Sequence, residues 1–173
     1  MKRIVFIILC YGIMFTTSCN FGANTKKSDT ETKPAIAYGV IPSSLESAKE
    51  QIKNTTWVAS PRGESWFKVF FKGDGTYTCW YAEPGNGEWC NTPITGNYEV
   101  REGRYSDTGE RFYAVPFDSK ILMPGSRKLG INAEYIDIKL LFMMGTNSIR
   151  SSAQSLLMYD EVKCQYGNIN PWK

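Results

Sequence analysis

Residues 65–81 read SWFKVFFKGDGTYTCWY, and this pattern predicts two antiparallel β-strands joined by a tight turn. Phe67, Val69 and Phe71 alternate with residues of the opposite face such as Lys68, a period of two that is typical of a strand with one buried side. The Gly-Asp-Gly sequence that follows supplies the backbone freedom of a tight turn, and TYTCWY forms the returning strand. The stretch therefore predicts a β-hairpin with an apolar inner face.

A short helix is predicted before this hairpin. Ser43 and Glu46 have the spacing of a capping box, in which the serine is the N-cap. The apolar side chains that fall on one helical face are Leu45, Ala48 and Ile52. The helix is expected to end near Asn54, after which the periodicity changes from helical to alternating.

Further short strands are predicted on both sides of the hairpin. Together with its own strands at residues 65–72 and 76–81, the alternating segments are residues 57–60, 96–101, 111–117, 134–142 and 161–166. Residues 148–159 fit a strand or a helix equally well. Consecutive tight turns favour an all-β, antiparallel up-and-down barrel with one short N-terminal helix. A β-sandwich is the alternative, in which residues 119–133 supply a long connection between sheets.

Composition excludes several classes of function. The 173 residues contain no histidine, which removes Ser–His–Asp and Cys–His catalysis and most transition-metal sites. A cysteine-only zinc site requires four thiolates, and after Cys19 the chain offers Cys79, Cys90 and Cys164. The formal net charge is only +3, without a basic stripe for nucleic acid. We therefore expect no metal, no cofactor, no nucleic-acid partner and no enzymatic activity.

Residues 1–18 have the three parts of an export signal. A Lys-Arg pair follows the initial methionine, and residues 4–15 form an apolar run that is too short to span a bilayer as a permanent helix. Small residues then lead to Ser18-Cys19, which resembles the lipobox of bacterial lipoproteins. The resemblance implies that Cys19 is acylated after cleavage just before it. Cleavage by the ordinary signal peptidase, which gives a free secreted protein, is the alternative.

Residues 19–42 are predicted to be a flexible tether before a β domain at residues 43–173. The tether is poor in apolar residues and rich in Thr, Lys and Asn, so it cannot bury enough surface to order itself. Lipid chains on Cys19 hold the protein on a membrane, since each buried methylene contributes about 0.8 kcal/mol. Surface-exported lipoproteins of the Bacteroidetes tend to carry acidic residues soon after this cysteine. Residues 20–22 carry none, so the resemblance implies the periplasmic side of the outer membrane.

Four short motifs between residues 45 and 101 carry a family resemblance. They are Asn54-Thr55-Thr56-Trp57, Phe70-Phe71, Asp74-Gly75-Thr76-Tyr77-Thr78 and Gly96-Asn97-Tyr98-Glu99-Val100. This series resembles the lipocalin-like domains of Bacteroidetes lipoproteins, except that Thr56 replaces the glycine of the lipocalin Gly-x-Trp signature. The resemblance implies a barrel that binds a small apolar ligand in its interior, or a partner protein at its mouth. The candidate cavity-lining residues are Phe67, Val69, Phe71, Tyr98, Ile136 and Ile138.

The aromatic residues of the next hairpin offer a rival function. Trp80, Tyr81 and Trp89 lie close together in the sequence, and an exposed tryptophan is a good contact for a sugar or a protein. Trp80 is the candidate surface contact, because Tyr77 and Cys79 share the opposite strand face. The chain is then an envelope inhibitor or an accessory protein of a larger complex.

Cys79 and Cys90 flank the Pro-Gly-Asn-Gly turn that follows this strand. A two-residue loop at Pro84 and Gly85 places the two cysteines directly opposite one another, so an exported protein offers a cross-strand disulfide there. Pairing of either one with Cys164, or three buried thiols, are the alternatives.

Three carboxylates, one in the Gly-Asp-Gly turn and two beside the Pro-Gly-Asn-Gly turn, support a weaker interpretation. Asp74, Glu83 and Glu88 lie near one another in the sequence, as the paired carboxylates of a hydrolase must lie in space. Asp74 is also a typical turn residue, however, and the two glutamates flank a loop. A carboxylate-dependent hydrolase is therefore the least favoured function.

We predict that Cys19→Ala abolishes lipidation. The wild-type chain, expressed in a bacterium that processes such signals, should incorporate labelled fatty acid, because only the cysteine thiol accepts the lipid before cleavage. Cys10→Ala, within the apolar run, is the control and should leave labelling unchanged. Equal labelling of wild type and Cys19→Ala contradicts the prediction.

Overall fold

The computed structural model describes residues 40–61, 65–82, 87–122, 134–151 and 161–172 of the chain. All of them belong to one compact unit, Ala35–Lys173. The predicted signal peptide, Cys19 and the tether as far as residue 39 lie outside the described residues, as do residues 83–86 of the predicted second turn.

The described residues form a short helix followed by strands, which confirms the predicted all-β class with one N-terminal helix. The elements are α1 (Leu45–Ile52), β1 (Thr55–Ala59), β2 (Phe67–Phe71), β3 (Thr76–Tyr81), β4 (Ile94–Asn97), β5 (Arg101–Arg104), β6 (Arg111–Leu122), β7 (Tyr135–Met143), β8 (Ser148–Ser151), β9 (Val162–Lys163) and β10 (Gln165–Tyr166).

The strands make two antiparallel sheets of five strands each. The first sheet has the order β10-β1-β2-β3-β4, and the second has the order β5-β6-β7-β8-β9. Neighbours in each sheet are consecutive in the chain, apart from the pairing of β10 with β1. The pairing in the described residues is thus that of two separate sheets, and the predicted closed barrel is not found in it.

Two segments of the chain contribute to both sheets. The first sheet ends with β4 and the second begins with β5, and only residues 98–100 separate these two strands. In the same way β9 pairs with β8 while β10 pairs with β1, with Cys164 between them. Both sheets are therefore connected through the chain at each of their two sides.

Aromatic side chains fill the space between the sheets. Phe71 on β2 lies 5.7 Å from Phe117 on β6 and 5.9 Å from Phe142 on β7, measured between ring centroids. Trp57 on β1 also contacts Phe142, at 4.6 Å. These pairs join the two sheets face to face, since contacting rings contribute about 0.5–1.5 kcal/mol each beyond the surface that they bury.

The β2–β3 hairpin forms as predicted. Phe67 pairs with Tyr81 and Phe71 with Tyr77, which places the tight turn at the Gly-Asp-Gly sequence. Asp74 accepts hydrogen bonds at its Oδ1 from the backbone nitrogen and the hydroxyl of Thr76, at 2.9 and 2.7 Å. Bonds to the charged carboxylate, led by that of the Thr76 hydroxyl, lower the pKa of Asp74. Its role is thus to hold the turn.

The N-cap of the helix differs from the predicted one. Ser44, not Ser43, caps α1, and its hydroxyl accepts the backbone N–H of Ser47 at 3.1 Å. Glu46 does not complete a capping box, because it stands two residues after the cap Ser44 instead of three, and it pairs with Lys49. The buried face is the predicted one: Ala48 and Ile52 are buried, and Leu45 packs against the core.

The predicted strand at residues 96–101 is not continuous, because β4 ends at Asn97, β5 begins at Arg101, and the backbone passes from one sheet to the other between them. Tyr98 is still attached to the first sheet: its backbone N–H donates to Gly75 O, and its hydroxyl donates to Lys72 O at 2.7 Å. Its ring packs against Phe71 at 5.2 Å. These contacts attach Tyr98 to the β2–β3 turn, and the chain changes sheet after it.

Two glycines in this segment make room for aromatic rings of the adjacent strands. A Cβ at Gly96 would lie 2.7 Å from Tyr77 Cε1, and a Cβ at Gly103 would lie 2.3 Å from Phe112 Cζ. Both rings belong to the directly paired residue of the neighbouring strand. Tyr77 also reaches the other sheet, where its hydroxyl accepts the backbone N–H of Asp118 at 3.0 Å.

Gly96→Ala should therefore destabilise the domain by about 1–3 kcal/mol, because Tyr77 must move from its position against the second sheet. Chemical denaturation measures the loss. Thr95→Ala on the same strand is the matched control, since Thr95 is exposed, and its effect should stay within about 0.5 kcal/mol. Equal effects of the two substitutions contradict this account of Gly96.

Candidate functional site

The outer face of the first sheet carries a cluster of aromatic side chains around one lysine. Lys68 on β2 pairs in register with Trp80 on β3, and both side chains point away from the core faced by their neighbours Phe67 and Cys79. The ammonium nitrogen lies 4.7 Å from the ring centroid of Trp80 and 5.2 Å from that of Trp89. These distances are within the range of cation–π attraction.

The C-terminal residues complete the cluster. We call residues 167–172 the C-terminal strap. Its Asn168 accepts a hydrogen bond at Oδ1 from the Lys68 ammonium at 3.2 Å, and the ring of Trp172 meets that of Trp89 edge-on at 4.9 Å. We call the residues Lys68, Trp80, Trp89, Asn168 and Trp172 the Lys68 cluster.

Lys68 is half-buried in this cluster, and the groups that its ammonium contacts are uncharged. Burial lowers the pKa of Lys68. In the described part of the chain the ion pairs join other residues, and no carboxylate lies within 4.0 Å of its nitrogen. The ammonium therefore depends on two indole faces and one amide oxygen.

Trp80, the predicted surface aromatic, lies on the outer face but is only partly exposed, because Lys68 lies over its ring. Sequence reasoning placed Lys68 merely on the wet face of a strand. It missed Asn168 and Trp172 altogether, because they reach this surface from 100 residues farther along the chain. The one signal in the sequence was the stretch YGNINPWK at residues 166–173, which is rich in aromatic residues and asparagine.

The candidate cavity-lining residues all belong to the packed core or its margin. Phe67, Val69 and Phe71 have at most 1% of their surface exposed, and Ile138 has 9%. Tyr98 and Ile136 are half-buried and pack against the same core. A side chain that lined a solvent-sized cavity would have accessible surface inside it. The described residues therefore leave no such space beside Phe67, Val69 and Phe71.

The predicted Cys79–Cys90 disulfide is not found. All three cysteines of the domain are buried thiols. Cys79 pairs in register with Ile94 and faces the core, where its sulfur lies 3.4 Å from the Ser119 hydroxyl. Cys90 lies opposite Tyr81 instead, since its N–H donates to Tyr81 O and its sulfur accepts the Tyr81 N–H. The assumed two-residue loop was the error, because it shifted the register.

The three carboxylates do not converge in the described residues. Asp74 is committed to its turn, Glu88 is exposed beside the bridge between Ala82 and Trp89, and Glu83 lies outside the described residues. No group of three metal-binding side chains occurs among the residues that the structure describes. In those same ranges no helix is long and apolar enough to cross a membrane.

Comparison with known proteins found no match: no protein-family model, no curated protein and no solved structure matches the chain.

The three thiols should be unreactive in the folded protein. Burial raises the pKa of Cys79 to about 12 and also raises that of Cys164, and only the thiolate reacts with iodoacetamide. Alkylation near pH 8, followed by peptide mass spectrometry, should be about a hundredfold or more slower at these sites in native than in unfolded protein. A peptide in which Cys79 is joined to Cys90 contradicts the prediction.

Proposed function

We propose that the chain is a non-enzymatic, lipid-anchored protein of the cell envelope, held at the periplasmic face of the outer membrane. Its lipocalin-like β domain binds a partner protein through the Lys68 cluster on the outer face of the first sheet. The observation that carries this proposal is the grouping of three tryptophans around a half-buried lysine on a surface, while the interior is filled by the chain's own side chains.

The proposed architecture of this domain is an up-and-down barrel in which residues 94–104 and 162–166 turn from one sheet into the other. What supports closure is the order of the strands. Around both sheets each strand lies beside its neighbour in the chain, and the last strand, β10, pairs with the first, β1. Sheets with this connectivity become a barrel when the two switching segments act as corners.

A binding role at the outer surface agrees with the energetics of interfaces. Tryptophan and other large aromatic side chains supply much of the binding free energy at protein contacts. A lysine beside them can pack its methylene groups on the apolar surface while its ammonium stays in contact with water. Trp172 is 36% exposed and Tyr166 is 50% exposed. Tyr166 pairs with Trp57 and contacts its ring, on the side of the sheet opposite Lys68, so of these two residues only Trp172 adds apolar surface to the Lys68 cluster.

The non-enzymatic role rests on the residues that chemistry requires. The chain has no histidine. Asp74 is a candidate acid or base, but its carboxylate accepts the two hydrogen bonds from Thr76 that hold a turn. The anchor rests on the lipobox-like Ser18-Cys19 sequence.

Site-specific photo-crosslinking in the living bacterium tests the proposed surface. A photoreactive amino acid replaces Glu88, which is exposed beside Trp89, or Lys139, which is exposed on the second sheet. We expect a discrete protein adduct from position 88 that is lost when Lys68→Met or Trp89→Ala is added. Position 139 is the matched control and should give no such adduct. Adducts of equal yield from both positions, or an adduct from position 88 that is unaffected by the two substitutions, contradict the proposal.

A further inference from the structure

Within the Lys68 cluster, the C-terminal strap lies against Lys68 and Trp89 as a bound peptide would. The strap begins at Gly167, whose N–H donates to Thr56 O at 2.9 Å and continues the edge pairing of β10 with β1. Asn168 then reaches Lys68, and Trp172 reaches Trp89. Two side chains four residues apart thus make the contacts with the cluster, and the backbone enters along a sheet edge.

The strap is shaped to place its second contact. Asn170 accepts the Trp172 N–H at its Oδ1, at 3.0 Å, across Pro171. This bond and the fixed φ of proline bend the chain in an Asx turn. The Trp172 ring then packs above Gly87, where a Cβ would lie 3.2 Å from Trp172 Cδ1. A side chain at position 87 would therefore obstruct the indole.

The strap residues 167–172 contain no carboxylate side chain that could balance the charge of Lys68. Asn168 offers a neutral amide oxygen to a half-buried ammonium, whereas a carboxylate at the same place would add the attraction of an opposite charge. The two indole faces attract the cation but do not neutralise it. A ligand with a carboxylate in the Asn168 position is thus better matched to the cluster than the strap itself.

We infer that Lys68, Trp80 and Trp89 form a binding site for an extended segment of a partner protein that carries a carboxylate four residues before an aromatic side chain, and that the C-terminal strap covers this site by imitating the segment. The inference rests on the proposed partner-binding function and names the chemistry of the partner. Exchange requires the strap to open, and its Ile169 and Trp172 are 37% and 36% exposed, as in segments that open locally at low cost.

Occupation in cis makes the apparent affinity for a partner weaker than the intrinsic affinity. The factor is the fraction of molecules in which the strap is open. The strap lowers the apparent affinity of acidic and neutral segments by this same factor. The preference for an acidic segment comes from Lys68, which pairs with its carboxylate.

Binding of two synthetic peptides to the full chain tests this inference. The first peptide, GNINPWK, is the strap sequence itself, and the second, GDINPWK, carries a carboxylate in the Asn168 position. The receptor is wild type or the open double variant Asn168→Ala/Trp172→Ala, and fluorescence anisotropy of the labelled peptide measures affinity. We expect the open variant to bind GDINPWK roughly fivefold more tightly than GNINPWK, and wild type to bind both roughly tenfold more weakly than the open variant.

Lys68→Met in the open variant is the matched control for charge, because methionine keeps most of the apolar stem of lysine. It should abolish the preference for GDINPWK, and 0.5 M salt should reduce that preference in the unmodified open variant. Equal affinity of the open variant for the two peptides overturns the inference. Failure of both peptides to bind an open variant with a native circular dichroism spectrum overturns it as well.

A second measurement serves if the open variant does not fold. Asn168→Asp in the full chain should raise the thermal unfolding midpoint, and this increase should vanish when Lys68→Met is also present. No increase overturns the inference.

A lost crosslink at position 88 together with a peptide preference that holds refutes the proposed partner alone. A specific crosslink together with failed peptide binding shows that the partner uses a different chemistry at the same surface.

Discussion

Phe71 lies at the centre of the contact on which the fold depends. Its ring meets Phe117 and Phe142 of the second sheet and Tyr98 of the segment that connects the two sheets. The side chain is fully buried. Loss of such a side chain typically costs about 3–5 kcal/mol, a large part of the stability of a small domain. The alternation of β2, the position of the switching segment and the face-to-face packing of the sheets all converge on this residue.

The same packing determines where function is available. Large rings between the sheets leave the interior without accessible surface beside Phe67, Val69 and Phe71. The outer face of the first sheet, in contrast, combines aromatic rings, a half-buried cation and a chain terminus that lies across them. The proposed function therefore uses the outer face of the first sheet and not the interior.

Local patterns predicted the local structure well. The β2–β3 hairpin and the inner face of β7, formed by Ile138, Leu140 and Phe142 against outer Asp137 and Lys139, follow directly from a period of two. The helix and its buried face were also predicted, although its cap was displaced by one residue, because Ser43 and Ser44 are chemically equivalent in the sequence. The all-β class follows from these elements alone.

Features that depend on distant contacts were not predictable in the same way. The change of sheet after Tyr98 brings β5 to β6, which lies farther along the chain, and the register that separates Cys79 from Cys90 is that of the bridge between Ala82 and Trp89. The Lys68 cluster requires Asn168 and Trp172 to return to β2 and β3. A periodic pattern in the sequence does not indicate which distant segment packs against a strand, since tertiary packing decides those contacts.

Native mass spectrometry of the protein purified from its own envelope tests most directly the central claim that binding occurs at the outer wall. The account predicts a complex with a partner protein that is present for wild type, absent for Lys68→Met, and free of any small apolar molecule. A retained small apolar molecule, found in equal amount with wild type and with Lys68→Met, would contradict the account, because it would show that the interior opens to hold a ligand.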